Sequence, residues 1–152
     1  VITLIYGRDP DAMDRYAQSL VTYGKGDMLL EFPEEHLYPL DHLPIAERIA
    51  AYHESGYGNV VCATQSEIIC LRIQRRVREG SLAHKDVRVV WIENGKPVPL
   101  RMDEHGLFID EWPWGFFEDN YREHFSHEKL GAVDKFNDQA IDDAFVYRRE
   151  DY

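Results

Sequence analysis

The chain has little cysteine, no excess of basic charge and no long apolar run. Its two cysteines, Cys62 and Cys70, stand in apolar settings (Val-Val-Cys and Ile-Ile-Cys) without CxxC or metal-ligand spacing. That argues against a disulfide framework or a cysteine metal centre, and the pair reads as buried free thiols. Lysine and arginine number 17 against 28 aspartates and glutamates, a net charge of −11. Phosphate neutralisation supplies most of the affinity of a generic nucleic-acid binder, so the chain is not expected to grip DNA or RNA by itself. Docking onto a basic protein surface stays open. No apolar run approaches the ~20 residues of a membrane span, and no basic-then-apolar leader precedes the first strand. The expectation is a soluble, cytoplasmic protein without membrane association.

What is present fits one domain. A chain of 152 residues with 44% hydrophobic content is long enough to bury roughly 70% of the surface its unfolded form exposes. Residues 1–80 read as βα units, 81–118 as a hairpin with an aromatic segment, and 119–152 as a helical tail. Val1-Ile2-Thr3-Leu4-Ile5-Tyr6 is β-branched and ends at Gly7, predicting a strand. Met13, Tyr16, Ala17 and Leu20 fall at helical spacing behind Asp11, the expected cap. The short apolar run within 27–31 is bounded by turn residues and predicts a strand buried on both faces. Residues 42–54 predict a helix capped by Asp41, with Pro44 in its first turn. Residues 59–63 predict a third strand and 87–93 a fourth, and Asn94-Gly95 turns the latter into a hairpin near 88–101. The predicted fold is a three-layer α/β core on a mostly parallel sheet, with a β-hairpin and C-terminal helices.

Ligands in open α/β sheets sit beyond the carboxyl ends of the strands, which draws attention to Glu31-Phe32-Pro33-Glu34-Glu35-His36-Leu37-Tyr38-Pro39. This stretch resembles the Walker B segment of OLD-like and SMC-like ABC-type ATPases at Glu31, Pro33, Glu34, His36, Leu37 and Pro39. A second run, Thr64-Gln65-Ser66-Glu67 leading into Leu71, Arg72, Gln74, Arg75, Arg76 and Gly80, is similar to the switch segment and following helix of OLD-like members. Trp112-Pro113-Trp114-Gly115-Phe116-Phe117 resembles the end of many bacterial AAA-type predicted ATPases.

The resemblance implies a P-loop fold and, residue by residue, an incapacitated site. Strand, Gly7, polar loop and helix are laid out as in a P-loop, yet the GK[ST] positions hold Ala12, Met13 and Asp14. Phe32 stands where the water-activating glutamate belongs, and Gln65 where the γ-phosphate-sensing histidine belongs. Only about twenty residues separate the first two strands, which leaves no room for the family's signature lobe. Phosphoryl transfer needs a phosphate cradle with Mg²⁺, a positioner for water and a γ-phosphate sensor. All three matching positions have changed, so the resemblance implies a catalytically inactive pseudo-ATPase that needs no cofactor and works through its surfaces. A full-length ATPase or a second copy of the chain is the implied partner, with genome defence or anti-defence as a possible setting.

Two other readings stand beside it. One is a residual nucleotide binder that completes an ATPase in trans. The other is a Toprim-like metal-dependent nuclease built on Glu31, Glu34 and Glu35, which wants a second acidic pair after a later strand and finds Thr64-Gln65-Ser66 there instead. For an interaction role the candidates are Arg72, Arg75, Arg76 and Arg78, the one dense basic patch, and the aromatic Trp112, Trp114, Phe116 and Phe117. The arginines fit either a binding face or a solvated helix paired with acids. The aromatics fit either core packing or a partner-facing patch, with Trp112 expected to be the buried one and Trp114 the more exposed. His124 and His127 lack a third ligand at metal spacing and read as surface histidines.

Overall fold

A computed structural model of the chain describes residues 1–22, 24–111 and 113. Strand β1 (Ile2–Gly7) leads to helix α1 (Pro10–Leu20), strand β2 (Met28–Glu31), helix α2 (His42–Ser55), strand β3 (Val60–Ala63) and helix α3 (Glu67–Arg78). Strands β4 (Val87–Glu93) and β5 (Lys96–Leu100) follow. They form a five-stranded sheet in the order β2-β3-β1-β4-β5. β2, β3, β1 and β4 are parallel, and β5 returns antiparallel to β4. The α/β architecture, the mostly parallel sheet and the hairpin are therefore as the sequence predicts. Asn94 (φ 51°) and Gly95 (φ 74°) both take left-handed backbone at the hairpin, as a two-residue loop of this kind requires.

Alternation along the strands sorts the core into two layers. Ile2, Leu4 and Tyr6 join Val60, Cys62, Val87, Val89 and Trp91 on the face covered by α2 and α3. Ile5, Val61, Ala63, Val90 and Ile92 lie on the face covered by α1 through Ala12, Met13 and Ala17. Cys62 and Cys70 are buried free thiols, and burial pushes the Cys70 thiol up to about 12. Both are therefore uncharged at neutral pH and act as small apolar residues. Among the described residues, no helix is long and apolar enough to cross a membrane.

Two local expectations are corrected. β2 is less buried than a strand covered on both faces: Met28, Leu29 and Leu30 are half-buried and Glu31 is exposed. It lies at an edge of the sheet, where among the described residues β3 is its one neighbouring strand. The cap of α1 is Asp9, whose side chain accepts from the amides of Asp11 and Ala12, while Asp11 lies inside the helix. Pro10 at the first helical position explains the shift, since its fixed φ already suits a helix and its missing N–H costs nothing there.

Candidate functional site

Because β1, β2 and β3 run parallel, the segments that follow them meet at one end of the sheet. The first is short: only Arg8 and Asp9 separate Gly7 from Pro10. Asp9 Oδ1 accepts from Asp11 N at 3.0 Å and from Ala12 N at 3.4 Å, and the Asp9 carbonyl accepts from Met13 N at 3.1 Å. Pro10 has no N–H. Every amide of the first helical turn is thus accounted for by the protein's own oxygens, which removes the donors a phosphate would use. Gly7 is packed in: a Cβ there would lie 3.1 Å from the Ile92 carbonyl oxygen and 3.3 Å from Met13 Cγ. Ala12 and Met13 are buried against the sheet, and Asp14 is half-buried. Met13, at the second position of the Ala12-Met13-Asp14 run, is therefore part of the apolar core.

The third segment fills the space over Gly7. Gln65 Nε2 donates to the Gly7 carbonyl at 2.8 Å and lies 3.6 Å from Met13 Sδ. Behind it, Ser66 caps α3, its Oγ accepting from Ile69 N at 3.2 Å. Thr64 is fully buried, its hydroxyl donating to Glu34 Oε1 and accepting from Ser66 N at 3.0 Å. Gln65 N also donates to Glu34 Oε1, at 2.8 Å. The approach to α3 is closed by the carboxylate of Glu34, just as α1 is closed by Asp9.

Glu34 comes from the second segment, a tight turn after β2. Phe32 N continues the ladder to the Ala63 carbonyl at 2.8 Å, then Glu35 N returns to the Phe32 carbonyl at 3.1 Å. Phe32 (φ 48°) and His36 (φ 66°) both take left-handed backbone, a conformation that costs a non-glycine residue of order 1 kcal/mol or more. That geometry carries Glu34 inward until it is 8% exposed and leaves Glu35 in solvent. Phe32 packs its ring into the α1 layer. Nearby, His42 Nδ1 and Ser66 Oγ are 2.7 Å apart, and the Tyr6 hydroxyl donates to the Ser66 carbonyl at 2.8 Å. Glu34 Oε2 and His42 Nε2 are buried and make no hydrogen bond among the described residues.

Carboxylates outnumber cations at this end, where Arg8 in the first loop and Arg15 on α1 stand among Asp9, Asp11, Asp14, Glu31 and Glu35. Burial, then Glu31, Asp11 and Glu35 in that order, push the Asp14 carboxyl up from its ordinary range. Glu31 is exposed at the tip of β2, where its Oε1 accepts from Gln18 Nε2 at 3.4 Å. A triphosphate brought here would meet carboxylates in place of amides and lysine. Among the described residues, no three histidine, cysteine, aspartate or glutamate side chains gather as metal ligands.

The sequence candidates are thus divided. Gly7, Ala12, Met13, Asp14, Glu31, Phe32 and Gln65 do come together around the sheet end. The arginines lie elsewhere, along α3, with Arg72 and Arg76 turned toward α2. Arg72 is 2.8 Å from Glu47, Arg76 pairs with Glu47 and with Glu54 at 3.5 Å, and Arg75 is 2.9 Å from Glu79. Three of the four are so engaged within the protein, and Arg78 is exposed. Trp112, Trp114, Phe116, Phe117, His124 and His127 lie outside the described residues. Sequence reasoning passed over Asp9 and His42, and it quoted Thr64 without anticipating its bond to Glu34. Asp9 before proline was a legible cap signal, whereas the contacts of Thr64 and His42 depend on a turn that no local pattern announces. Comparison of the chain with family models, with curated proteins and with solved structures finds no match in any of the three.

Proposed function

We propose that this chain is a pseudo-ATPase: a non-hydrolysing domain that acts by binding another protein, a full-length ATPase or a second copy of itself, with defence or anti-defence as its setting. The observation that carries the reading is the closed start of α1. A two-residue turn, Pro10 and the Asp9 cap leave no free amide in the first turn of α1, and Gln65 is bonded to the Gly7 carbonyl. Phe32 in place of a carboxylate and the acidic neighbours that raise the Asp14 carboxyl support it independently.

The experiment has two arms. Purified protein with Mg²⁺-ATP is expected to show no turnover above buffer, and turnover abolished by Glu31→Gln would overturn the reading. Tagged protein is expected to capture a partner from its native extract. If Trp114 faces that partner, Trp114→Ala removes the capture and leaves the thermal midpoint nearly unchanged. If Trp114 is core, the same change costs ~3–5 kcal/mol and lowers the midpoint sharply.

A further inference from the structure

We propose that the outer edge of β2 takes up an extended, basic segment of a protein partner as an added strand, an inference that rests on the protein-binding reading above. The ladder geometry turns the groups required away from β3. Met28 N donates to the Asn59 carbonyl and Phe32 N to the Ala63 carbonyl, both at 2.8 Å. Alternation then turns Leu30 toward β3 as well and aims the peptide groups of Leu29 and Glu31 away from it. Among the described residues β2 pairs with β3 alone.

The two edges of the sheet are treated differently. β5 carries Pro97 and Pro99, which remove N–H donors and blunt that edge against pairing. β2 has no proline and no lysine. Its Met28, Leu29 and Leu30 stay half-buried, so apolar side chains on both faces of β2 keep surface open to a neighbouring strand. Backbone groups that pair with a strand and apolar side chains that receive alternate residues are the two parts of strand-addition recognition.

The sign of the partner follows from the surroundings. Glu31 and Glu35 are exposed, and Asp11 and Asp14 stand on the neighbouring α1. Arg8, Arg15 and Lys25 are the cations of the adjoining segments, yet each charge acting on the Asp14 carboxyl opposes its ionisation. A strand carrying lysine or arginine relieves that repulsion, and an acidic one adds to it. A second copy paired edge to edge would bring its own Glu31 and Asp27 into the same neighbourhood, which disfavours self-pairing.

The test uses the whole chain and a blocked heptapeptide alternating lysine and valine. In the free protein the Leu29 and Glu31 amides are expected to exchange rapidly with solvent. The peptide is expected to bind saturably and shift those two amide signals. Replacing its lysines with glutamate, methylating its edge amides, or introducing Glu31→Lys should each weaken binding by about tenfold or more. Leu29→Pro should do the same, and if that variant fails to fold, Glu31→Lys and the methylated peptide decide the matter. The proposal is overturned by no saturable binding up to about 1 mM peptide, by affinity indifferent to these changes, or by slow exchange at Leu29 and Glu31. A dimer that Leu29→Pro dissociates would overturn it in favour of a second copy. None of these outcomes produces ATP turnover, so failure here is distinct from failure of the pseudo-ATPase reading.

Discussion

Glu34→Ala should destabilise the fold well beyond what an acidic residue in a surface turn suggests. Glu34 Oε1 holds two donors, the Thr64 hydroxyl and the Gln65 amide, and Thr64 is fully buried. Leaving a buried donor unsatisfied costs ~1–3 kcal/mol. Two such donors bring the loss to roughly 2–5 kcal/mol, because Gln65 is exposed enough for its amide to find water. Removal of the carboxylate also ends the cost of keeping the unpartnered Oε2 from water, which pulls the figure toward the lower end. In urea, with a slope of ~1–3 kcal/mol per molar for a small domain, the midpoint should fall by about 1–2 M. Thr64→Val removes the hydroxyl but also the acceptor for Ser66 N, so it is destabilising alone. In the double variant the stranded hydroxyl is gone, and the two losses should fall short of additive by about 0.5–3 kcal/mol. A Glu34→Ala midpoint equal to wild type, or strict additivity, would refute the claim that this carboxylate closes the start of α3.

Three further outcomes follow from the same geometry. Asp9→Ala removes the α1 cap and should cost ~0.5–2 kcal/mol in denaturant titration, with Asp9→Asn costing less. Asp14→Asn should stabilise at pH 7 by on the order of 0.5 kcal/mol. The folded Asp14 carboxyl titrates above its ordinary 3.8, so its charge costs stability above the folded pKa. That cost disappears as pH falls to the unfolded value, and a thermal-midpoint gain that persists at low pH would contradict the assignment. Glu47→Gln should cost about 0.5–1 kcal/mol at neutral pH, since Glu47 joins Arg72 and Arg76 but is partly solvated. The hydrogen bond from Arg76, foremost among its causes, lowers the Glu47 carboxyl from 4.5. Its contribution is therefore present above the ordinary carboxylate range and lost as pH falls through the folded pKa, where wild type and variant should converge.

Strands and helices were legible because each buries a regular stripe. Val87, Val89 and Trp91 face one layer while Val90 and Ile92 face the other, and Asn94-Gly95 admits little besides a hairpin. The position of β2 in the sheet was not legible, since a three-residue apolar run reads the same at an edge as in the interior. The residues quoted around Gly7, Glu31 and Gln65 do gather at the sheet end, but their arrangement was not legible. Whether Gly7 opens a cradle depends on how many residues separate strand from helix, and Pro10 starts α1 sooner than an Asp11 cap would. The burial of Glu34 depends on left-handed backbone at Phe32 and His36, which neither residue type advertises. The ambiguity over Arg72, Arg75 and Arg76 was resolved by Glu47 on α2 and Glu79 at the end of α3, partners that become visible once the helices are placed.

Calorimetric titration of the intact chain with ATP and Mg²⁺, read beside its thermal midpoint, tests most directly the claim that the phosphate positions are closed. A ligand present at about 100 times its Kd stabilises by ~2.7 kcal/mol, enough to move the midpoint of a domain this size by several degrees. The account predicts no saturable heat and an unmoved midpoint, for the wild type and for Phe32→Glu alike. Saturable binding that raises the midpoint and is lost in Glu31→Gln would contradict it.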